Sequence, residues 1–316
     1  MGNVVLGDGG PTIGRVGLGC MGMSWAYDEP GRDDRESVRV IRTAVDLGVD
    51  LLDTSDQYGP FTNESLVGAA LDGIRDRVVL ATKGGLVVRP DGTTARDGRP
   101  GHLRAALDES LHRLRTDRVD LYQLHRVDPS VPIEESWGAL AEAVVAGKAL
   151  RIGLSEVTVD EIRRAQAVHP VASVQTELSL WSREALDEVL PFCEAEGIAF
   201  IAYSPLGRGF LGGRLRTAAD LPEGDWRRRN PRFLPAAIEE NRALLGPLTS
   251  VADELDVSPA QVALAWVLAQ GDRVVAIPGT KTAAYLVENV EAAELRLSPE
   301  HLRLLDAAPE PVGARY

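Results

Sequence analysis

The sequence predicts an α/β chain folded as a closed (β/α)8 barrel of the TIM-barrel class, with a short N-terminal β-hairpin. Three observations carry that expectation. Eight short runs rich in Val, Ile and Leu recur along the chain with little polar alternation, the pattern of strands buried on both faces. Amphipathic helical segments separate them, and strand–helix repetition with short connections implies parallel strands and right-handed crossovers. No linker divides the 316 residues, so residues 1–316 are expected to form one domain, and eight units in that length fit a barrel better than an open sheet.

The elements follow in order. Val4–Leu6, a Gly-rich turn and Thr12-Ile13 read as a hairpin that plugs the bottom of the barrel. The strand runs are Arg15–Cys20, Val49–Thr54, Val78–Lys83, Val119–His125, Leu150–Ser155, Ala172–Glu177, Ala199–Ser204 and Val274–Thr280. Val38, Ile41 and Val45 recur at helical spacing, with Asp33 and Asp34 ahead and Gly48 behind as a stop. Leu103, Leu107, Leu111 and Leu114 form a second stripe, and Trp137, Leu140, Val144 and Val145 a third, closed by Gly147. Pro191 and Gly246-Pro247 interrupt helical patterns and predict kinks or split helices. Ser258-Pro259 caps a helix running to about Ala269. The stretch from Leu206 to about Ala236 is too long for a plain connection and reads as a binding loop or lid.

Composition narrows the function. A formal charge of −13 repels phosphate backbones and anionic lipid heads, which argues against nucleic-acid and membrane partners. Arg227-Arg228-Arg229 is the one basic run and reads as a solvated loop. Two cysteines, Cys20 and Cys193, make neither a disulfide framework nor a Cys-x-x-Cys pair. No export signal or apolar span is visible, so a cytoplasmic location is expected. Gly17-Leu-Gly19-Cys-Met-Gly22 fits G-x-G-x-x-G literally, but Met23 to Pro30 reads as a loop rather than the helix a dinucleotide fingerprint needs. A close backbone approach at the first barrel strand explains those glycines better.

A barrel carries its active site at the C-terminal ends of its strands. Those ends read Gly19, Asp53, Lys83, His125, Ser155, Gln175, Tyr203 and Thr280, most of them polar or titratable after apolar runs. With Tyr58 just beyond the second strand, Asp53, Lys83 and His125 make a constellation for carbonyl reduction. A tyrosine hydroxyl suits the acid that protonates a developing alkoxide, and its ordinary pKa is about 10. A nearby ammonium is expected to lower that value, with a buried carboxylate keeping the ammonium charged. His125 would orient the carbonyl or assist proton transfer.

At these residues the chain resembles a known family. LLDTSDQYG, ATKGG and LYQLHRVDP are similar to the strand 2, 3 and 4 signatures of the aldo-keto reductases. GLGCMGMS, IGLSEV, VQTELSLWSR, YSPLGRGFL, IPGTK and LVEN continue the likeness over nearly the whole chain, in the manner of a bacterial subgroup with the GLSE and YSPLGRGFL motifs. The resemblance implies a catalytic tetrad of Asp53, Tyr58, Lys83 and His125 and an NADPH/NADP+ cofactor. It implies that Ser155 and Gln175 bind the nicotinamide carboxamide and that Tyr203 stacks on the ring. Ser204, Leu206, Gly207 and Arg208 would hold the pyrophosphate, and Thr280, Lys281, Glu288 and Asn289 the adenosine half, with Lys281 available to a 2′-phosphate.

Two positions depart from that pattern. Glu156 stands where many members carry Asn, and a carboxylate cannot donate as an amide can. Tyr285 occupies a turn where some members place an Arg near the adenosine phosphate, a loss of charge that would weaken the preference for NADPH.

Other signals point less sharply. His102, His112, His169 and His301 fall in or beside helix patterns and read as surface residues, too dispersed for a metal site. Trp25, Trp181 and Trp226 are either loop packing or an aromatic wall for an apolar substrate. Arg126 and Arg208 would bind an anionic substrate group or pair with neighbouring acids. The reading favoured is an NADPH-dependent oxidoreductase reducing aldehydes or ketones, with a small-molecule carbonyl substrate and no metal. An NADPH-binding regulatory subunit with little turnover and a sugar-nucleotide enoyl or keto reductase are the alternatives.

Overall fold

The computed structural model describes residues 2–27 and 31–315. The end of the expected first loop, residues 28–30, lies outside the described residues.

Eight parallel strands make one sheet: β3 (Leu18–Gly19), β4 (Leu51–Asp53), β5 (Val79–Gly84), β8 (Val119–Leu124), β9 (Ala149–Ser155), β10 (Ser173–Glu177), β11 (Ala199–Tyr203) and β12 (Val274–Ala276). They pair in chain order, and parallel bridges Val16↔Ala276 and Gly19↔Gly279 join the first strand to the last. The G-x-G-x-x-G segment serves this closure. A Cβ on Gly17 would lie 2.9 Å from the Leu51 carbonyl oxygen, and one on Gly19 2.9 Å from that of Ile277. A 3-10 turn, Met21–Met23, follows directly.

An antiparallel hairpin of β1 (Val4–Val5) and β2 (Thr12–Ile13) seals the bottom. Its Val4, Leu6 and Ile13 are buried against Leu51, Val79, Leu121, Ala199 and Val275 of the barrel. Among the described residues, eleven α-helices accompany the strands: α1 (Asp34–Asp46), α2 (Thr62–Ala70), α3 (Pro100–Leu114), α4 (Ile133–Val145), α5 (Val159–Gln166), α6 (Val189–Glu196), α7 (Pro235–Asn241), α8 (Leu245–Leu255), α9 (Pro259–Ala269), α10 (Ala283–Glu291) and α11 (Pro299–Asp306). Asp33 caps α1, and Ser258 closes a capping box on α9. Pro191 and Pro247 sit in the first turns of α6 and α8, each preceded by a separate 3-10 turn, so both helical patterns are split as their prolines require.

The sequence reading missed a second hairpin, β6 (Leu86–Val88) with β7 (Thr94–Arg96). Its strands are short and half exposed, and Pro90-Asp91-Gly92 was the turn signal available.

Strand residues alternate between two environments. Leu52, Leu80, Tyr122, Val174 and Phe200 pack in the main core with the helices, while Leu51, Ala81, Leu121 and Ile201 join the separate cluster around the hairpin. Because side chains alternate with a period of two, Asp53, Lys83, Gln123 and Tyr203 share the second face, one layer further along the strands. The barrel interior is therefore apolar at the hairpin end and polar at the strand C-termini.

Candidate active site

The polar layer is a connected network. Lys83 Nζ donates to Asp53 Oδ1 at 2.5 Å, to the Thr54 carbonyl at 2.9 Å and to the Tyr58 hydroxyl at 3.3 Å. The second Asp53 oxygen accepts from Gln175 Nε2 at 2.8 Å and from Gln123 Nε2 at 3.2 Å. These two glutamines are what make a buried carboxylate tolerable: with Lys83 they occupy both of its oxygens.

Tyr58 reaches the network from the loop after β4. Thr54 N–H bonds the Ala81 carbonyl and Asp56 N–H the Lys83 carbonyl, so the loop starts as an extension of the sheet. Asn63 then pins it. Its side chain accepts from Thr54 Oγ at 2.6 Å and donates to the Cys20 carbonyl at 2.9 Å and to Ser24 Oγ at 2.6 Å. His125 follows β8 and stands edge-on to Tyr58, ring centroids 6.0 Å apart, while Trp25 lies 5.8 Å from Tyr58 on another side. The structure thus brings together all four residues expected to act on the substrate.

Burial dominates their electrostatics. It pulls the Lys83 ammonium down, but Asp53 and Tyr58 outweigh it and leave Lys83 above its ordinary value. It pushes the Tyr58 phenol up; Lys83 opposes this and Asp53 adds to it, and the net position is above the usual value. The expectation that Lys83 and Asp53 depress the tyrosine is corrected accordingly: the ammonium pulls in the expected direction, but desolvation is larger. Burial, with Lys83 and Arg126 adding, holds His125 well below the ordinary imidazole value, so the ring is neutral.

The strip expected to hold a cofactor runs across the same rim. Ser155 and Gln175 are paired neighbours on β9 and β10, both buried. Ser155 Oγ accepts from Arg126 at 3.0 Å, and Gln175 uses its amide nitrogen on Asp53 and Gln123. Tyr203 ends β11 half buried beside the interior cluster. Ser204, Gly207, Arg208 and Gly209 all have positive φ, from +48° to +93°. Such left-handed turns make concavities suited to anions. Arg208 itself pairs with Glu177 at 3.0 Å and lies 4.9 Å from the Trp226 ring centre. Leu206 is half buried in the same turn.

At the other end of the strip, Thr280 and Lys281 leave the barrel in a partly exposed loop, with Lys281 Nζ 3.1 Å from the Gly31 carbonyl oxygen. On α10, Asn289 is buried and Glu288 lies 3.9 Å from Arg214. The two departures noted in the sequence acquire partners here. The Arg214 guanidinium lies 4.1 Å from the Tyr285 ring centre, restoring a cation at that turn. Glu156, in a left-handed conformation at φ +54°, accepts from the Glu177 amide at 3.0 Å and pairs with Arg315 near the end of the chain. Arg315 also approaches Glu177 at 3.3 Å and the Tyr203 hydroxyl at 3.4 Å.

Comparison with known proteins accords with this geometry. The sequence signature of the Aldo/keto reductase family matches residues 15–310. The chain belongs to the aldo/keto reductase family. A Glycine max protein named "Probable aldo-keto reductase 1" is 40% identical over 317 residues, covering 99% of this chain and 91% of that protein. Among solved structures, the glycerol dehydrogenase of Gluconobacter oxydans superposes with a TM-score of 0.89 at 29% identity, covering 99% of this chain and 98% of that one. A Klebsiella pneumoniae aldo/keto reductase solved in complex with NADP and acetate gives 0.78 at 26% identity, covering 99% and 97%.

Within this aldo/keto reductase several sequence readings are refined. Trp181 is packing, its ring tilted against Phe210 at 4.3 Å and edge-on to Phe233 at 5.1 Å, whereas Trp25 lies 5.8 Å from Tyr58. Arg227 and Arg228 are not simply solvated. Arg227 binds Asp225 and the Arg208 carbonyl, and Arg228 binds the carbonyls of Leu221 and Pro222, so they stitch the long loop shut. His301 is buried rather than exposed and contacts Glu254 at 3.2 Å. Among the described residues, no helix is long and apolar enough to cross a membrane.

The sequence reading also missed Ser55, Asp56, Asn63, Gln123 and Arg315. A signal existed for Gln123, a polar residue inside an apolar run, whereas Ser55, Asp56 and Asn63 read as ordinary loop polars. None existed for Arg315, whose contact spans 159 positions.

Proposed function

We propose that this aldo/keto reductase is an NADPH-dependent oxidoreductase that reduces an aldehyde or ketone to an alcohol, with Tyr58 as proton donor. The observation that carries the reading is the buried Asp53–Lys83–Tyr58 chain beside a neutral His125. The residues fit the cofactor: Gln175 Oε1 has no protein partner among the described residues and is available to a carboxamide N–H, and the 204–209 turn suits a diphosphate. Arg214 and Lys281 are the cations available to a 2′-phosphate, and the Klebsiella pneumoniae relatives are described with NADP and with NADPH.

Bound NADPH supplies the hydride. Tyr58 gives its hydroxyl proton to the oxygen that becomes an alkoxide. A phenol held above its ordinary value keeps that proton at neutral pH until the alkoxide, a stronger base, develops. The tyrosinate left behind faces Lys83 at 3.3 Å, and Asp53 keeps that ammonium charged. His125 orients the carbonyl through a ring nitrogen.

The test is a fluorescence titration with NADPH and NADH, followed by NADPH oxidation against a panel of aldehydes and ketones. Tighter NADPH binding with carbonyl-dependent oxidation is expected. Binding without turnover on any carbonyl would favour a regulatory subunit, and no binding to either nucleotide would remove the cofactor assignment.

A further inference from the structure

We propose that Asp56 and Ser55 are positioning residues that set the tautomer of His125, so that the direction of the Asp56–Ser55–His125 hydrogen-bond chain decides whether Nε2 offers the substrate a proton or a lone pair. The inference rests on the reductase reading above for what His125 does, but its geometry is independent of it.

Ser55 Oγ lies 3.2 Å from Asp56 Oδ1 and 3.1 Å from His125 Nδ1, and it accepts the Gln57 amide at 3.2 Å. Asp56, Ser55 and His125 are all buried. A serine hydroxyl has one proton to give and two lone pairs, and the Gln57 amide occupies one of those. The Lys83 carbonyl, 3.4 Å away, is a longer alternative acceptor for that proton, and two arrangements use all three of the shorter contacts. With Asp56 ionised, Ser55 donates to the carboxylate and accepts from Nδ1–H, leaving Nε2 a bare acceptor. With Asp56 protonated, the carboxyl donates to Ser55 and Ser55 donates to Nδ1, placing the proton on Nε2. The change takes up one proton overall. Nε2 has no protein partner among the described residues, so this nitrogen is the one left for substrate.

Three observations support a working equilibrium. His125 is held neutral, by burial first and then by Lys83 and Arg126, so its tautomer rather than its charge is the variable. Asp56 is pushed up to about 7, by burial and then by Glu64, against the pull of Ser55 and of Arg113. Glu64 is committed elsewhere: it accepts Thr82 Oγ at 2.5 Å and pairs with Arg113 at 2.7 Å. Tyr122 of β8 also faces Asp56; its hydroxyl donates to the Leu103 carbonyl, and burial holds it well above its ordinary value. A carbonyl needs the donor form of His125 and an alcohol the acceptor form, so the same pair would bias reduction on the acid side and alcohol oxidation on the alkaline side.

The experiment is nitrogen NMR of the whole protein labelled with 15N-histidine, without substrate, followed through about pH 7. In the wild type the two His125 ring nitrogens are expected to exchange protonated and unprotonated character. Ser55→Ala and Asp56→Asn should each hold one pattern throughout and keep wild-type NADPH affinity. A wild-type His125 that keeps one tautomer across the range overturns the proposal without needing any variant, as does a Ser55→Ala protein that switches as the wild type does. Because the readout needs no turnover, failure of the reductase reading would show separately, as a wild type that oxidises no NADPH with any carbonyl.

Discussion

Lys83 Nζ meets Asp53 Oδ1 at 2.5 Å in the interior of the barrel, with side-chain exposures of 1% and 4%. At that burial the two charges depend on each other. Removing one partner of a buried pair costs about 3–5 kcal/mol, whereas removing both is often much milder. Lys83→Met is therefore expected to destabilise the protein by that amount. Adding Asp53→Asn to it should recover part of the loss, since the amide oxygen still accepts from Gln123 or Gln175. Urea unfolding of the single and double variants measures the difference; equal losses in both would contradict the coupling.

Arg315 and Glu156 tie the C-terminal segment to the end of β9. Burial pushes the Glu156 carboxyl up, but Arg315, the Glu177 amide and Arg126 outweigh it and hold it below its ordinary 4.5. A carboxyl held low adds stability above its unfolded value and loses it as the pH falls through the folded one. Arg315→Ala should thus lower stability by about 1–3 kcal/mol at neutral pH and by less in acid. Thermal unfolding at the two pH values checks this, and in a Glu156→Gln background the Arg315→Ala effect should shrink.

Asp56 works in the opposite sense. Raised from 3.8 to about 7, it holds its proton more tightly in the folded state. Its contribution is fully present below the unfolded value and is lost as the pH rises through about 7, a change of about 4 kcal/mol. Asp56→Asn should flatten the fall in stability between mildly acid and neutral pH. Denaturation series of the two proteins over that range decide it; parallel curves would contradict the assignment.

Arg214 over Tyr285 and Lys281 near Gly31 put two cations at the end of the strip proposed for the adenosine half of the cofactor. Arg214→Ala is expected to weaken NADPH binding roughly tenfold and to leave NADH binding nearly unchanged. Parallel fluorescence titrations measure that ratio.

Much of the barrel was legible because eight apolar runs buried on both faces leave few other folds for the chain. The cluster of Asp53, Lys83 and His125 was legible for a related reason: a titratable group at the end of an apolar strand must be paired or functional. The second hairpin was not, because Leu86–Val88 buries too little to show a pattern. Asp56 and Ser55 looked like ordinary loop polars, since nothing local reveals that the sheet continues through their backbone and carries Ser55 to His125. Glu156 read as the loss of an amide; its partner, Arg315, lies at the other end of the chain, where spacing carries no information. The sign of the Tyr58 shift was also beyond the sequence, because it depends on how completely the ring is buried.

The most direct test of the account measures NADPH binding and carbonyl-dependent NADPH oxidation together in the wild type and in Tyr58→Phe. The account predicts unchanged NADPH affinity and a turnover lower by about 10²–10⁴-fold, the usual contribution of a general acid. Near-normal turnover in Tyr58→Phe would contradict it.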